Sequence, residues 1–241
     1  MDESKGHSLL GLYLCLVALQ KVRTIVLTTC DEAVREVANK IIAISTADIK
    51  VKGELWNQPD ASFALLGDAE PTFIVEVAWS QSQQDVEDKA ENYIRGTHGK
   101  VQVVIVLNVL YPDLEEAVVS LLVATHDDGF RWEQRRKVIH SDHLEQPDGV
   151  VGLYLSDFCG PAGLPAAYCR PPAGVSRNPV MTISYRVLGA IFRAARHAQY
   201  PKKYQLEQED HDILSSLLPQ DSEELRHHLQ EAKCQREEAE R

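Results

Sequence analysis

The sequence predicts an α/β fold, of the α+β type, in which helices lie on a mixed sheet. Apolar runs at residues 61–66 and 72–79 are separated by the turn Gly67-Asp68-Ala69-Glu70-Pro71, and this pattern predicts an antiparallel hairpin. A helix is predicted at residues 82–96, and the apolar run 101–109 predicts the next strand. Strand, helix and strand in this order form a right-handed βαβ crossover, which lays the helix across the sheet.

The chain before the hairpin predicts one helix and one more strand. Thr29-Cys30-Asp31-Glu32 has the pattern of a capping box, and we expect the helix to run to about residue 45. Its apolar stripe consists of Val34, Val37, Ala38 and Ile41. Residues 49–55 predict the first strand, so the core has the order helix, three strands, helix, strand. The apolar run 9–19 has an acidic start and is too short to span a bilayer, which favours a buried helix or strand over a signal peptide.

The second half of the chain predicts an extension of this core. Apolar or alternating runs at residues 117–126 and 130–139 flank a turn and predict a further hairpin of the sheet. Residues 150–155 predict another strand, and the proline- and glycine-rich stretch 160–179 predicts an ordered loop. Apolar residues at helical spacing in 183–197 predict a C-terminal helix on one face of the sheet.

Length and charge predict one domain with a tail. The 241 residues, 44% of them hydrophobic, are enough for one substantial core, which we place in residues 1–204 with an N-terminal helical segment. Residues 205–241 carry 11 acidic and 4 basic residues, so this mostly helical tail holds −7 of the net charge of −11. A capping box begins at Asp221, but the apolar stripe after it is too narrow to indicate a coiled coil, and a homodimer is left open.

Composition also bears on compartment and partners. The five cysteines are odd in number and widely spaced, which argues against a disulfide framework and a zinc knuckle. This pattern indicates an intracellular protein, cytoplasmic or nuclear. Because the apolar run 9–19 is too short to span a bilayer, we expect no membrane partner. The body carries the remaining charge of −4, and basic clusters such as Arg131 with residues 135–137 could meet a phosphate backbone or be solvated faces. Phosphate-binding glycine loops and a Gly-x-Ser-x-Gly elbow are absent from the sequence.

Two acidic residues of the first hairpin are candidate metal ligands. Asp60 opens the strand at 61–66, and Glu76 lies inside the run Phe73-Ile74-Val75-Glu76-Val77-Ala78-Trp79. The antiparallel hairpin should bring the two side chains together. A carboxylate in such an apolar strand is costly unless it is paired, and two hard oxygen ligands suit a Mg²⁺-like cation.

The predicted helix supplies an amine to the same region. Ser82 is a predicted N-cap with Asp85 three residues later, and Gly96 ends the helix. Lys89 and Tyr93 lie one turn apart on one helix face, so the crossover can direct Lys89 at the two carboxylates. There the ammonium group could hold the attacking water or offset charge on the pentavalent phosphate.

These residues resemble the PD-(D/E)XK nuclease superfamily, in its putative restriction endonuclease branch. Pro59-Asp60, Glu76-Val77 and the helical Lys89-x-x-x-Tyr93 carry the resemblance, which spans roughly residues 48–110. It implies a restriction-endonuclease-like core and a nuclease that uses Mg²⁺ or Mn²⁺ on DNA or RNA. It also implies that an acid of the first helix, Glu36 or Glu32, sometimes joins the metal ligands. The lysine expected two residues after the glutamate is Ala78, so Lys89 would take its place.

Each candidate also has a structural interpretation, and a second class of function stays open. Asp60 after a proline can simply form a turn, Lys89 in a charged helix can pair with a nearby acid, and Tyr93 can be a packing residue. Ala78, the acidic balance and the lack of a clear basic groove are also compatible with a nuclease-like fold that has lost turnover and binds a partner.

Overall fold

The computed structural model describes residues 31–44, 49–50, 56–68, 70–79, 81–110, 114–125, 129–145 and 147–217, with Thr29 and several helical residues between Leu10 and Thr28. Its helices are α1 (Glu32–Asn39), α2 (Gln83–Gly96), α3 (Ser156–Cys159), α4 (Tyr185–Gln199) and α5 (Gln208–Leu217). Ala166–Tyr168 form one turn of 3₁₀ helix.

In the described part of the chain, six strands form the main sheet: β1 (Ile41–Ala43), β4 (Ala61–Leu65), β5 (Phe73–Ala78), β6 (Val103–Val109), β7 (Glu116–Ala124) and β8 (Phe130–Ser141). They are neighbours in the order β1-β4-β5-β6-β7-β8. The β5–β6 pair is parallel and the other neighbouring pairs are antiparallel. The predicted α/β class with a mixed sheet is therefore confirmed, as are the first hairpin, the crossover strand and the 117–139 hairpin.

The two faces of the sheet are buried under different layers. Helix α2 covers one face, where Ile74, Ala78 and Val106 of the sheet pack against Val86 and other apolar residues of the helix. The opposite face belongs to a larger core that includes Phe73, Val75 and Val77 of β5 and apolar residues of α4. Because strand side chains alternate between faces, Glu76 falls on the α2 side together with Ile74 and Ala78.

The predicted first helix is too long, and the first strand of the sheet lies elsewhere than predicted. The N-cap is Asp31, whose carboxylate accepts from Val34 N, and the helix ends at Asn39. Ile41, predicted as part of this helix, begins β1 and pairs with Leu65 of β4. The prediction failed here because a β-branched residue that fits the apolar stripe of a helix also fits a half-buried strand. The predicted strand 49–55 starts a separate hairpin, in which β2 (Ile49–Lys50) pairs with β3 (Trp56–Asn57). Residues 51–55 lie outside the described part of the chain.

The C-terminal half differs from the prediction in one pairing. The predicted strand at 150–155 is β9 (Val150–Leu153), but it pairs with β10 (Met181–Ser184) in a small sheet of its own. Ile183, predicted as the start of a helix, therefore lies in a strand. Ser184 is the N-cap of α4, where its hydroxyl accepts from Val187 N. A hydroxyl followed by a helical apolar pattern was the signal that could have placed this boundary.

The two ends of the described chain both pack on the domain. The described residues of the N-terminal helical segment agree with the buried helix that was one of the two elements predicted at residues 9–19, since Leu10, Tyr13, Leu14, Val17 and Ala18 are buried. Helix α5 packs against α4, with Leu214 and Leu217 buried, although its residues fall within the predicted tail. Residues 218–241, which include the predicted capping box at Asp221, lie outside the described part. Among the described residues, no helix combines the length and apolar character needed to cross a membrane.

The predicted N-cap of α2 is confirmed and can be tested by mutation. Ser82 Oγ accepts from Asp85 N at 3.1 Å, which satisfies one of the backbone donors left open at a helix start. We expect Ser82→Ala to lower the free energy of unfolding by about 1 kcal/mol in urea denaturation. Gln81→Ala, at the exposed residue just before the cap and outside the helix, is the control and should change it little. Equal effects of the two changes would contradict the assigned cap.

Candidate active site on the β4–β5 hairpin and helix α2

Asp60 lies at the start of the hairpin and is held against the neighbouring strand. Its Oδ2 accepts a hydrogen bond of 2.7 Å from the backbone N–H of Val77. Ala61 pairs with Val75 in the antiparallel register, so Asp60 stands beside Glu76. The local sequence explains this placement, because the turn at residues 67–71 fixes the hairpin register. Asp60, just before β4, and Glu76 in β5 therefore lie at the same level of the sheet.

Glu76 is buried, and both of its oxygens have partners from α2. Only 1% of the residue is exposed. Lys89 Nζ forms an ion pair with Oε1, and Tyr93 Oη donates to Oε2 at 3.0 Å. Lys89 Nζ also donates to the backbone oxygen of Gln58 at 3.3 Å, just before Asp60. The one-turn spacing of Lys89 and Tyr93 thus lets a single helix face contact both oxygens of one carboxylate.

Burial changes the acid–base properties of this group. The pKa of Glu76 is raised from 4.5 to about 7, first because burial disfavours the charged form and further because the Asp60 carboxylate is close. The charge of Lys89 and the hydrogen bonds from Lys89 and Tyr93 act in the opposite direction but do not cancel the rise. Burial and the adjacent Glu76 carboxylate also raise the pKa of Tyr93, which stays a neutral donor. A buried carboxyl group that titrates near neutral pH is typical of functional sites.

Glu36 does not join this group of residues. Its side chain is 69% exposed and forms an ion pair of 2.7 Å with Lys40, one turn later in the chain. The Lys40 ammonium lowers the pKa of Glu36, chiefly through their hydrogen bond. Because α1 ends at Asn39 and is followed by β1, Glu36 stays on the outer face of a short helix. Within the described residues, no cluster of three or more His, Cys, Asp or Glu side chains could hold a metal ion.

The N-terminal helical segment passes very close to Asp60. A Cβ atom at Gly11 would lie 3.3 Å from the Asp60 Cβ, which is tighter than an ordinary contact. Gly11 is itself buried. A glycine here lets the helix backbone approach the acid, as glycine does wherever two backbones must come close. The helix therefore packs against the backbone and Cβ of Asp60 at Gly11, a contact that the sequence did not reveal.

A chain of polar side chains on the same sheet face was also missed by the sequence analysis. Asn108 of β6 donates from Nδ2 to Gln83 Oε1 at 2.6 Å, and Gln83 donates from Nε2 to Glu87 Oε1 at 2.8 Å. Glu87 in turn accepts from the guanidinium groups of Arg135 and Arg136. Two features of the sequence could have predicted it: the amide side chain of Asn108 in the apolar run 101–109, and the spacing of Gln83 four residues before Glu87.

Burial and hydrogen bonding compete at Glu87, and the hydrogen bonds prevail. Burial by itself would raise its pKa, but hydrogen bonds from Arg136, Arg135 and Gln83 lower it to about 2. Arg136 has φ 53°, and the β7–β8 pairing is irregular between Val119 and Leu122, opposite this point. In a regular strand consecutive side chains point to opposite faces, so this irregularity allows Arg135 and Arg136 to reach the same carboxylate.

The structure therefore brings Asp60, Glu76, Lys89 and Tyr93 together and leaves Glu36 outside. Lys89 and Tyr93 contact the Glu76 carboxylate, and Asp60 lies beside Glu76 across the hairpin, close enough for its charge to raise the pKa of Glu76. Such a group can bind a small hard cation through Asp60 and Glu76, and it can stabilise negative charge through Lys89. Comparisons of this chain with models of protein families, with characterised proteins and with solved structures found no match.

Proposed function

We propose that this protein is a divalent-metal-dependent nuclease that hydrolyses phosphodiester bonds in DNA or RNA. One observation carries the proposal: a glutamate that is almost fully buried beside an aspartate is bound at both oxygens by a lysine and a tyrosine of one helix. A buried acid with a pKa of about 7 costs stability, and such a cost is typical of catalytic and metal-binding groups.

Asp60 and Glu76 would hold the cation, and Lys89 would act on the substrate. When bound, Mg²⁺ or Mn²⁺ would polarise a phosphoryl oxygen and lower the pKa of a coordinated water. Lys89 is 24% exposed at its side chain, so its positive charge can stabilise an incoming phosphate while the ammonium stays bound to the buried carboxylate. Tyr93 holds Oε2 of Glu76 and thereby orients the carboxylate.

The arrangement of elements supports a restriction-endonuclease-like core. The antiparallel β4–β5 hairpin is followed by α2 and by β6, which is parallel to β5. Ala78 offers no amine on the site face of β5, and the ion pair of Lys89 with Glu76 supports the helical lysine as its replacement. A nucleic-acid substrate is further supported by Arg135 and Arg136, whose side chains remain 49% and 50% exposed while bound to Glu87.

The proposal is tested by a screen for nuclease activity. Wild-type protein is incubated with single- and double-stranded DNA and RNA in Mn²⁺, and with EDTA as the metal-free reference. We expect cleavage that depends on Mn²⁺ and falls by about a hundredfold or more in Asp60→Asn, because one carboxylate ligand is lost. Asp68→Asn, the same change in the exposed turn of the hairpin, is the matched control and should keep full activity. Undiminished cleavage by Asp60→Asn would refute the proposed site.

A second candidate function is a nuclease-like fold that binds a partner without turnover. It is favoured by the ion pair itself, because Lys89 already neutralises Glu76, and the described residues offer just two carboxylates at this place. Calorimetric titration with Mg²⁺ and Mn²⁺ separates the two functions. Saturable binding that disappears in Asp60→Asn supports the nuclease, and no binding at millimolar concentrations supports the binding module.

A further inference from the structure

Asn108 carries a buried oxygen for which the described part of the chain offers no hydrogen-bond donor. The residue is 2% exposed, and none of the described residues donates a hydrogen bond to its Oδ1. An unpaired buried amide oxygen costs about 1–3 kcal/mol, so such atoms usually have a water or a ligand as partner. The other end of the same amide is well bound, through Nδ2 to Gln83.

The polar chain determines which way this amide points. An ionised carboxylate only accepts hydrogen bonds, so Gln83 must turn its NH₂ group toward Glu87 and its oxygen toward Asn108. Asn108 must then turn its own NH₂ toward Gln83, which directs Oδ1 away from the chain. The orientation is secure because Arg135 and Arg136 keep Glu87 ionised, with a pKa of about 2. The free acceptor is therefore a consequence of the whole network.

The position of Asn108 on the sheet places this acceptor beside the candidate site. Asn108 pairs with Ala78 in the parallel β5–β6 register, and both side chains lie on the α2 face with Glu76. Strand spacing and rise put the Cα atoms of Asn108 and Glu76 about 8 Å apart, a span that one bridging water can close between side chains. The side chain of Ala78 ends at Cβ, so it has no polar side-chain atom that could compete for Oδ1.

We propose that Asn108 Oδ1 holds the attacking water of the hydrolysis, and that Asn108 is a positioning residue for it. The inference rests on the proposed nuclease function. Lys89 directs two of its three N–H donors to Glu76 and Gln58, and the third donates to this water. The water oxygen forms a bond to phosphorus and the bond from phosphorus to the leaving oxygen breaks. One water proton stays on the new phosphate and the other reaches the leaving oxygen through solvent.

The test compares three amide variants on an active substrate in Mn²⁺. We expect Asn108→Ala to lower kcat by about tenfold to a hundredfold, because a misplaced nucleophile slows the reaction, while KM and Mn²⁺ affinity stay within about twofold. Gln83→Ala should lower kcat less, by about threefold to tenfold, because Asn108 then loses only its fixed orientation. Gln84→Ala is the matched control, since Gln84 makes the same kind of bond to Asp88 on the exposed side of α2, at 2.7 Å. Unchanged kcat in Asn108→Ala overturns the inference.

A second measurement keeps this inference separate from the proposed function. A crystal structure of the wild-type protein that resolves waters should place one within hydrogen-bond distance of Asn108 Oδ1, and it should be missing in Asn108→Leu. If no substrate is cleaved, the nuclease proposal fails, and the same crystal structure still decides whether the acceptor holds a water. A protein donor at Oδ1, or an empty apolar space beside it, overturns the water site in either case.

Discussion

Replacing Glu76 by glutamine is expected to lower the rate of metal-dependent phosphodiester cleavage by about a thousandfold or more. Glutamine has nearly the same shape and can keep the hydrogen bond from Tyr93, but it offers a cation one neutral oxygen in place of a carboxylate. It also removes the counter-charge of Lys89, which is bound to Glu76 Oε1. The loss should appear in kcat with substrates from the nuclease screen, and Mn²⁺ affinity measured by calorimetry should fall with it.

Glu91→Gln is the matched control for this change. Glu91 lies on the same helix as Lys89, two residues further along, and it pairs with Arg95 at 3.4 Å rather than with the site. The substitution removes the same charge, so a general electrostatic effect on nucleic-acid binding would appear in both variants. Cleavage by folded Glu76→Gln at the wild-type rate would contradict the assignment, and equal losses in both variants would attribute the effect to overall charge.

The parts of the site that the sequence predicted are those that local rules control. The β4–β5 hairpin and the parallel β5–β6 pair follow from turn residues and apolar runs close together in the chain. Helix α2 follows from its cap at Ser82, and the spacing of Lys89 and Tyr93 fixes their common face. A segment of about fifty residues therefore contains most of the information that positions Asp60, Glu76, Lys89 and Tyr93.

The parts that were missed depend on how distant elements pack. Ile41 fits a helical stripe and a strand equally well, and only its pairing with Leu65 decides between them. Glu36 faces outward and pairs with Lys40, because α1 ends at Asn39 and β1 follows it. The hydrogen-bonded chain Asn108–Gln83–Glu87 ends at arginines of β8, which requires that β8 lie beside α2 and that Arg136 have a left-handed backbone. No local sequence pattern predicts either feature. The need for a glycine at position 11 follows only from the close approach of this residue to Asp60, which the sequence does not show.

The acid–base behaviour of Glu76 gives the second large expected effect, on stability rather than on rate. Its pKa is about 7 in the folded protein against an ordinary value of 4.5, so between these pH values the folded state binds more protons than the unfolded state. By linkage, the contribution of this group to the free energy of unfolding falls as the pH rises through that window. A shift of this size corresponds to a destabilisation on the order of 3 kcal/mol, which is absent below the window and fully present above it.

We therefore expect Glu76→Gln to be close to wild type in stability at pH 4.5 and more stable than wild type by on the order of 3 kcal/mol at pH 8, because glutamine resembles the protonated acid. Urea denaturation of both proteins across this range measures the difference, and other titrating groups cancel in the comparison. Mn²⁺ should stabilise the wild type more at pH 8 than at pH 5, since a cation binds the ionised carboxylate, and it should leave Glu76→Gln largely unchanged. A pH-independent difference between the two proteins would mean that the pKa of Glu76 is close to its ordinary value, and the burial of Glu76 would then be no sign of a function.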